Sequence, residues 1–498
     1  MSTEHTAPAT EDGAVNEFGY KQELKRVLRL FAVFSVAFSI ISITTGIFLN
    51  FGFGITHLGP ASIWLWPIAA VGQTLVALIF AELATRIPLA GANYQWGARL
   101  VGPRYGYVVG SLGIMYSAVG MSGILLLGAS PLLATVFGWN VGNPRLLLFI
   151  AIVLIVVAFG INLISIQLAA RVNGVAVVTE IVGTIGLAAV IFVMWVVDGS
   201  PDGHGLGFLG DTETLPGQPL WYAVVLAALI GVYTLVGFEA AADMGEETIN
   251  ARRTVPRAII LSVVISSVLG MLTLIGFTIA IPDLAAVQAS PVPLADITFY
   301  WLGDTLTKVL LLVVVFSMFA LTVVAAAASA RLIFAMARDN LLPGSTALRR
   351  VNPGTKTPVA ALLASLVICV ALMLYGYANG NAFGTLVGAT ALLPYLVYFL
   401  TVIAYGLRRR RMAALPDAFH LGRWAGPVFV AALVWLVAVL AALILPSEFR
   451  NATYVALGGL ALAGFWYVVG LHKRLRDGTA GAMTLSAAGA DRSRSSTR

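Results

Sequence analysis

The chain has 498 residues, of which 59% are hydrophobic and only 11% are charged. A water-soluble domain has about a quarter of its residues charged, so this composition excludes a soluble globular protein and indicates a protein surrounded by lipid. The formal net charge of +7 does not indicate a nucleic-acid partner, because the basic residues lie between apolar segments and not in one patch.

Apolar segments separated by polar breaks follow one another along the chain, and each is long enough for one crossing, which takes about 20 residues. They fall at about 31–56, 61–85, 105–137, 145–168, 173–197, 219–243, 256–281, 299–335, 358–378, 383–406, 426–445 and 452–471. The sequence therefore predicts an all-α membrane protein with twelve transmembrane helices in residues 28–475, between disordered tails at 1–27 and 476–498. The third and eighth segments exceed the bilayer thickness and are expected to tilt or to continue into water.

The lysines and arginines predict the orientation, because cytoplasmic loops carry an excess of them. If the amino terminus is cytoplasmic and the loops alternate, only Arg145, Lys308 and Arg450 of the 30 lysines and arginines fall outside. Both termini are therefore expected in the cytoplasm, with the chain integral to the cytoplasmic membrane. The run Arg408–Arg411 ends the tenth segment and is expected to lie at the lipid headgroups.

Two of the segments are interrupted by glycine. The first contains "SITTGIFLNFGFGI" with Gly46, and the sixth contains "VYTLVGFEAA" with Gly237 beside Glu239. Two inverted five-helix repeats, at about 31–197 and 219–406, would have their discontinuous helices at these two places, with 426–471 as two extra helices. Unwound backbone inside a bilayer is tolerated only around a ligand or a cavity, so a solute site is predicted between the breaks.

Four stretches carry a resemblance to a known family: "SITTGIF" at 42–48, "GFEAAADMGEETINARRTVPRAI" at 237–259, "ARDNLLPG" at 337–344 and "TKTPVAALL" at 355–363. They resemble permeases of the amino acid–polyamine–organocation superfamily, and within it the amino acid/choline branch, which includes carriers of γ-aminobutyrate and choline. The resemblance covers about residues 25–475. It implies a LeuT-like fold of five-plus-five inverted repeats with two extra C-terminal helices. It also implies a secondary active transporter that imports an amino acid or related amine by alternating access.

The resemblance and the physics of helix ends together predict the substrate site. Backbone amides at the start of the second half of helix 1 favour a carboxylate, and the matching residues are Thr44, Thr45, Gly46 and Ile47. Carbonyls at the ends of the first half-helices favour an amine, and these belong to Ile41, Ser42, Tyr233 and Thr234. The remaining candidates are Gly237 at the second break, Phe238, which resembles the aromatic gate of the family but could equally be core packing, and Tyr116 as a pocket wall.

Glu180 is the main candidate for coupling to an ion. It lies within the fifth segment, in "GVAVVTEIVGTIG", with no basic residue within a helical turn. An unpaired ionised carboxylate is costly there, so Glu180 is expected to be protonated or to face a polar cavity, and is predicted to carry the coupled proton. A structural hydrogen bond to a carbonyl is the alternative. Glu239 is a second candidate, able to bond the loose amides of helix 6 or to bind an amine.

Other functions are less well supported by the sequence. Ser329 together with carbonyls of helix 1 could bind sodium, which makes a sodium-coupled symporter the alternative to proton coupling, and a substrate exchanger of the same fold is another. A channel would more typically show rings of charge or a carbonyl filter. An enzyme would need a nucleophile–base or metal constellation, and neither pattern occurs. No organic cofactor and no metal are therefore expected, and the predicted partners are a small-molecule substrate and membrane lipid.

Overall fold

The computed structural model of the chain describes residues 26–164, 166–199, 204–355, 357–381, 383–412 and 419–481. Most of the two predicted tails, residues 1–25 and 482–498, therefore lies outside the described residues. Within the described ranges the regular structure is helical, apart from one isolated parallel β-bridge between Leu28 and Thr248.

The α-helices are numbered here in chain order. They are α1 (Leu30–Ile41), α2 (Ile43–Leu58), α3 (Leu65–Arg86), α4 (Ala92–Leu100), α5 (Pro103–Gly123), α6 (Ser130–Val136), α7 (Pro144–Ile164), α8 (Ile166–Glu180), α9 (Gly186–Asp198), α10 (Leu220–Ala227), α11 (Leu229–Thr234), α12 (Ala240–Asp243), α13 (Ala251–Ile279), α14 (Leu284–Ala289), α15 (Pro293–Arg338), α16 (Ser345–Leu348), α17 (Val359–Ala378), α18 (Gly388–Arg408), α19 (Ala425–Ile444), α20 (Arg450–Trp466) and α21 (His472–Arg476).

Short π-helical turns join some of these helices into longer ones. They lie between α5 and α6, between α8 and α9 and between α20 and α21, and a fourth leads into α18: Ile124–Ala129, Ile181–Ile185, Tyr467–Leu471 and Phe383–Val387. Each adds one residue to a helical turn without ending the helix, so the predicted third, fifth and twelfth segments each run as one helical stretch.

The described residues contain 10 helical stretches that are long and apolar enough to cross a membrane. The longest, Leu30–Arg86, has 57 residues and contains both the first and the second predicted segments. The sixth predicted segment corresponds to the shorter apolar helix Leu220–Thr234. The chain is thus an all-helical integral membrane protein with about ten candidate spans, and the count of twelve crossings stays a prediction.

The predicted eighth segment lies inside α15, which has 46 residues. The helix does not run without a break, because Gly303 has φ 69° and ψ −179°. This left-handed φ is accessible to glycine without strain. The kink separates a short first part of the helix from a long second part, residues 304–338, which is still longer than the roughly 20 residues that one crossing needs.

The interior of the protein lies around α1, α2 and α11, which are packed against α3, α13, α15 and α18. Its largest side chains are aromatic and fully buried, among them Phe38, Phe80 and Tyr398. The outer helices expose apolar side chains instead: Val197 in α9 is 75% exposed and Val468 beyond α20 is also 75% exposed. Apolar side chains on the outside match a lipid surrounding, and the packed aromatic interior holds the two interrupted helices in place.

Candidate functional site

The first interruption of the backbone lies at Ser42, between α1 and α2. Ser42 has φ 38° and ψ 87°, a left-handed conformation that a residue other than glycine adopts at a cost of about 1–2 kcal/mol. The Ser42 amide closes α1 on the carbonyl of Phe38 at 3.0 Å. Its side-chain oxygen then accepts from the amide of Thr45 at 3.4 Å, so Ser42 also caps the start of α2. The turn therefore comes before Gly46, which itself lies inside α2.

The second interruption is longer and covers residues 235–239, between α11 and α12. The amide of Leu235 closes α11 on the carbonyl of Gly231 at 3.0 Å. Gly237 has φ 94°, which favours glycine, and its amide donates to the hydroxyl of Tyr398 at 2.8 Å. The same hydroxyl donates to the Oε2 atom of Glu239 at 2.5 Å. One tyrosine of α18 thus satisfies two polar groups of the unwound segment.

The two interrupted helices fit against each other through their glycines. A Cβ atom on Gly46 would lie 2.1 Å from the Oγ1 atom of Thr234, and a Cβ atom on Gly237 would lie 2.4 Å from the Cγ2 atom of Ile40. Each break therefore has a glycine where the partner helix approaches too closely for any side chain. The lack of a side chain at these two positions allows the two interrupted helices to approach each other this closely.

A cavity lies between the breaks and extends towards the segment before α4. The cavity volume is about 100 Å³, and a cavity needs roughly 10–15 Å³ to hold one water. Its walls come from both interrupted helices and from α4, α5, α15 and α18. The space is therefore sufficient for several waters or for part of a small solute.

The cavity wall carries acidic but no basic side chains among the residues that the structure describes there. Glu239 and Asp243 line it, one helical turn apart, while no lysine, arginine or histidine does. Tyr233 also lines it; this side chain is 5% exposed, and its hydroxyl has no hydrogen-bond partner within the described part of the chain. Since buried polar groups are normally paired, this hydroxyl is available to a bound solute.

The sequence profile of the family described as "Amino acid permease" matches residues 28–466. The chain belongs to the amino acid permease family. It is therefore a membrane transporter and not an enzyme.

Several curated proteins are similar to this permease over most of its length. The Arabidopsis thaliana amino-acid permease BAT1 is 26% identical over 508 residues, covering 93% of this chain and 96% of its own. The low-affinity putrescine importer PlaP of Escherichia coli (strain K12) is 28% identical over 418 residues, covering 80% of this chain and 85% of its own. The Schizosaccharomyces pombe thiamine transporter thi9 is 25% identical over 518 residues, covering 91% of this chain and 85% of its own.

The cavity of the permease brings together some of the predicted substrate residues and not others. Those that line it are Ile41, Thr45, Gly46, Tyr116, Tyr233, Thr234, Gly237 and Glu239. Those that lie outside its described wall are Ser42, Thr44, Ile47 and Phe238, together with the coupling candidates Glu180 and Ser329. The substrate roles of all these residues stay predictions.

Phe238 lies on the far side of the unwound segment from the cavity. It is completely buried, and its ring lies 5.6 Å from that of Phe80 and 5.2 Å from that of Tyr398, between ring centres. Phe80 and Tyr398 are themselves in contact at 5.0 Å. In this conformation Phe238 is therefore a member of an aromatic cluster that supports the second break, which agrees with the packing alternative for this residue.

Glu180 is paired with the first break and does not face the main cavity. Its Oε1 atom accepts from the hydroxyl of Ser42 at 3.0 Å and from the amide of Thr44 at 3.2 Å. Beside it lies a second, apolar cavity with about 10 Å³ of room, enough for no more than one water. The two solutions expected from the sequence were a protonated side chain or a polar cavity. The structure shows a third arrangement, a carboxyl group hydrogen-bonded at the N-terminus of α2.

Ser329 also has a protein partner. Its hydroxyl lies 2.9 Å from that of Ser365 in α17, and both side chains are buried. This contact joins α15 to α17, and coupling to sodium stays an alternative prediction.

Sequence reasoning missed five polar residues of the cavity wall: Asn93, Tyr94, Ser117, Asp243 and Thr390. Asp243 accepts hydrogen bonds from the amides of Gly91 and Ala92 and lies near Arg331. Its spacing from Glu239 was a usable signal, because residues four apart share a helix face. Asn93 and Tyr94 lie in a short helix between two spans and carry no such signal.

The basic run at the end of α18 is partly engaged with the protein. Arg408 donates to the carbonyl of Leu100 at 2.8 Å, and the guanidinium of Arg409 lies 5.0 Å from the ring centre of Phe429. The side chain of Arg411 lies outside the described residues. Binding of this run to lipid headgroups remains a prediction.

Proposed function

We propose that this permease is a secondary active transporter that imports an amino acid or related amine by alternating access, driven by protons. The observation that supports this most strongly is the cavity between the two breaks, lined by two carboxylates and an unpaired tyrosine hydroxyl. Polar backbone in the membrane interior needs such a cavity. The two breaks correspond to the discontinuous helices that hold substrate in transporters built from inverted repeats.

The architecture that we propose has twelve crossings with both termini in the cytoplasm. The long stretch Leu30–Arg86 contains Gly59, with φ 71°, between α2 and α3, and this turn divides it into two crossings. The interrupted helix that begins at Leu220 supplies another. Five helices then form each repeat, with α19 and α20 as the two extra helices, and the distribution of lysine and arginine sets the orientation.

The charge of the cavity favours solutes that carry an amine. Glu239 and Asp243 supply negative charge to the wall, and an opposite charge is strongly favoured where water is scarce. The amides of Thr44, Thr45 and Gly46, which were expected to bind a substrate carboxylate, already have acceptors in Glu180 and Ser42. Two of the relatives are named for putrescine and thiamine, which are both cations at neutral pH. We therefore place the amine, and not a carboxylate, at the centre of recognition.

Glu180 gives a physical route for coupling to protons. Its carboxylate binds the start of α2 through Ser42 and Thr44, and the helix dipole favours the ionised form there. Protonation removes that charge and weakens the tie between α8 and the first break. The two halves of helix 1 can then reorient, which is the step that alternating access requires.

The proposed function is tested with purified protein in liposomes. We expect an inward proton gradient to drive saturable accumulation of at least one member of a panel of amino acids, γ-aminobutyrate, choline and diamines, without chemical change of the solute. The panel also tests the narrower placement in the amino acid/choline branch. Accumulation that follows a sodium gradient alone would contradict proton coupling. Flux that fails to saturate would contradict a carrier.

A further inference from the structure

The last described residues of the chain fold back onto the protein. Residues 472–481, here called the C-terminal strap, comprise α21 and the five residues after it. Within the strap, the amide of Thr479 donates to the carbonyl of Arg474 at 3.0 Å. The sequence placed residues from 476 onward in a disordered tail, yet residues 476–481 have a defined place against the loop that follows α15.

Arg474 holds the strap to that loop. Its Nη1 atom donates to the carbonyl oxygens of Asn340 and Leu342, each at 3.2 Å, and to the Oδ1 atom of Asn340 at 3.1 Å. The guanidinium also lies 5.1 Å from the ring centre of Trp466, and the ring nitrogen of Trp466 donates to the carbonyl of Leu341 at 2.8 Å. Arg474 thus binds residues 340–342 to the strap through several hydrogen bonds.

Two further hydrogen bonds close the strap over the loop. The amide of Gly481 donates to the carbonyl of Asp339 at 2.9 Å. The side-chain nitrogen of Asn340 donates to the carbonyl of Thr479 at 3.0 Å. Asn340 has φ 58°, a left-handed conformation that asparagine and glycine adopt most readily. The loop therefore has a specific backbone shape that the strap recognises through several groups.

The same loop is bonded to the wall of the cavity. Asp339 accepts a hydrogen bond from the hydroxyl of Tyr94, and Tyr94 lines the cavity. Buried apolar contacts follow the same route, because Tyr94, Leu341 and Leu471 belong to one cluster. The strap is thus connected to the cavity through two adjacent residues, Asn340 and Asp339, and one tyrosine.

Other contacts around this loop tie together the helix ends on the same side of the protein. Arg338 pairs with Glu246 at 3.5 Å, and Glu246 accepts from the amide of Ala90 at 3.1 Å. Arg331 pairs with Glu247 at 3.0 Å. The end of α15, the segment after α12 and the segment before α4 are therefore held together.

We propose that the C-terminal strap is a latch that holds the cytoplasmic side of the cavity closed through Asn340, Asp339 and Tyr94. The cytoplasmic position of this side rests on the proposed function and its orientation. Release of the strap loosens the end of α15 from the segment before α4, and a partner or modification that displaces the strap would speed opening. The device sets the rate of transport without touching the solute.

The test measures access to the cavity by thiol labelling. A cysteine introduced by Ser117→Cys lies in the cavity wall, while the native Cys369 is buried and gives a low background. A membrane-impermeant methanethiosulfonate reagent is added to the cytoplasmic face of oriented vesicles. We expect Arg474→Ala to increase the labelling rate about tenfold, the factor that follows from the loss of one or two hydrogen bonds.

Two further variants keep the test decisive. Asn340→Gly removes the side chain that bonds the strap but tolerates the left-handed backbone, and it should increase labelling similarly. Arg476→Ala is the matched control, because Arg476 lies in the same helix with a side chain 68% exposed and pairs with its neighbour Asp477. It should label at the rate of the parent protein.

The route through the loop is tested by combining variants. Tyr94→Phe alone should also increase labelling, and Tyr94→Phe with Arg474→Ala should label no faster than the faster single variant, because both break the same connection. An unchanged labelling rate in Arg474→Ala and Asn340→Gly overturns the proposal, even if their melting temperatures fall. An equal increase in Arg476→Ala also overturns it. Faster labelling without uptake of any solute would contradict the proposed function and leave the latch standing.

Discussion

Each of the two helix breaks has a buried glutamate beside it, and the two glutamates have different surroundings. Glu180 is bonded to the hydroxyl of Ser42 and the amide of Thr44, next to a space that holds no more than one water. Glu239 is bonded to the hydroxyl of Tyr398 and lines the main cavity. The first carboxylate is tied to a helix N-terminus, whereas the second accepts from Tyr398 and from backbone amides of the unwound segment and has open space beside it. The comparison indicates that Glu180 acts on the start of α2, whereas Glu239 is placed to contact the solute.

Substitution of Gly46 should have the largest effect, because it disrupts the close contact between the two interrupted helices, and the cavity lies between them. In Gly46→Val, the new side chain overlaps Thr234, since even a Cβ atom lies 2.1 Å from its Oγ1 atom. Overpacking of this kind costs about 1–3 kcal/mol and displaces the two breaks, so uptake should fall to background. Uptake in liposomes is the measurement. Gly160→Ala in α7 is the control, with no atom within 4 Å of the added Cβ; normal uptake by Gly46→Val would contradict the contact between the breaks.

Glu180→Gln should abolish proton-driven accumulation and leave exchange of solute across the membrane largely intact. Glutamine keeps an oxygen that accepts from Ser42 and Thr44, so the start of α2 stays capped, but it cannot take up a proton. Accumulation under an imposed proton gradient is compared with exchange in vesicles preloaded with solute. Asp304→Asn is the control, because this carboxylate is 68% exposed and pairs with Lys308 at the surface. Normal accumulation by the variant would restrict Glu180 to a capping role.

Glu239→Gln should weaken binding of an amine about ten- to a hundredfold, because it removes a charged hydrogen-bond acceptor worth about 1.5–3 kcal/mol. The amide still accepts from Tyr398, so the second break keeps its support. Binding is measured by calorimetry in detergent with a solute that the liposome assay has identified. Asp243→Asn should have a weaker effect, since the amides of Gly91 and Ala92 and the nearby Arg331 already satisfy part of its charge. Equal affinity in the parent and in Glu239→Gln would remove the carboxylates from recognition.

The approximate positions of the breaks were predictable, whereas their partners were not. Gly46 and Gly237 lie in long apolar runs and are visible in a window of a few residues, although the turn in helix 1 lies at Ser42, four residues before Gly46. The bond between Ser42 and Glu180 joins residues 138 apart, and Tyr398 lies 161 residues from Gly237. No periodicity connects residues at such distances, because the packing of whole helices decides which side chains meet. The sequence shows no basic residue within a helical turn of Glu180, but the pairing of Glu180 with a helix start could not be found from the sequence.

The strap illustrates a different limit of prediction. Residues rich in glycine, alanine, serine and threonine, such as those after Arg476, are typical of disordered segments. Here the backbone of Thr479 and Gly481 still finds donors and acceptors on the loop after α15. A backbone contact of this kind leaves little trace in composition, since almost any residue can make it. The contact between the strap and the loop after α15 was therefore less predictable than contacts made by side chains.

The smallest predicted effect separates strain from capping at Ser42. Ser42→Gly and Ser42→Ala both remove the hydroxyl that caps α2 and bonds Glu180. Only alanine keeps the cost of a side chain at φ 38°, about 1–2 kcal/mol for a left-handed residue. The alanine variant should therefore unfold at a lower temperature than the glycine variant, in thermal melts of the purified protein in detergent. Equal melting temperatures would mean that the first break relaxes when its hydroxyl is lost, so that the bond to Glu180, and not local preference, holds the backbone in its left-handed turn.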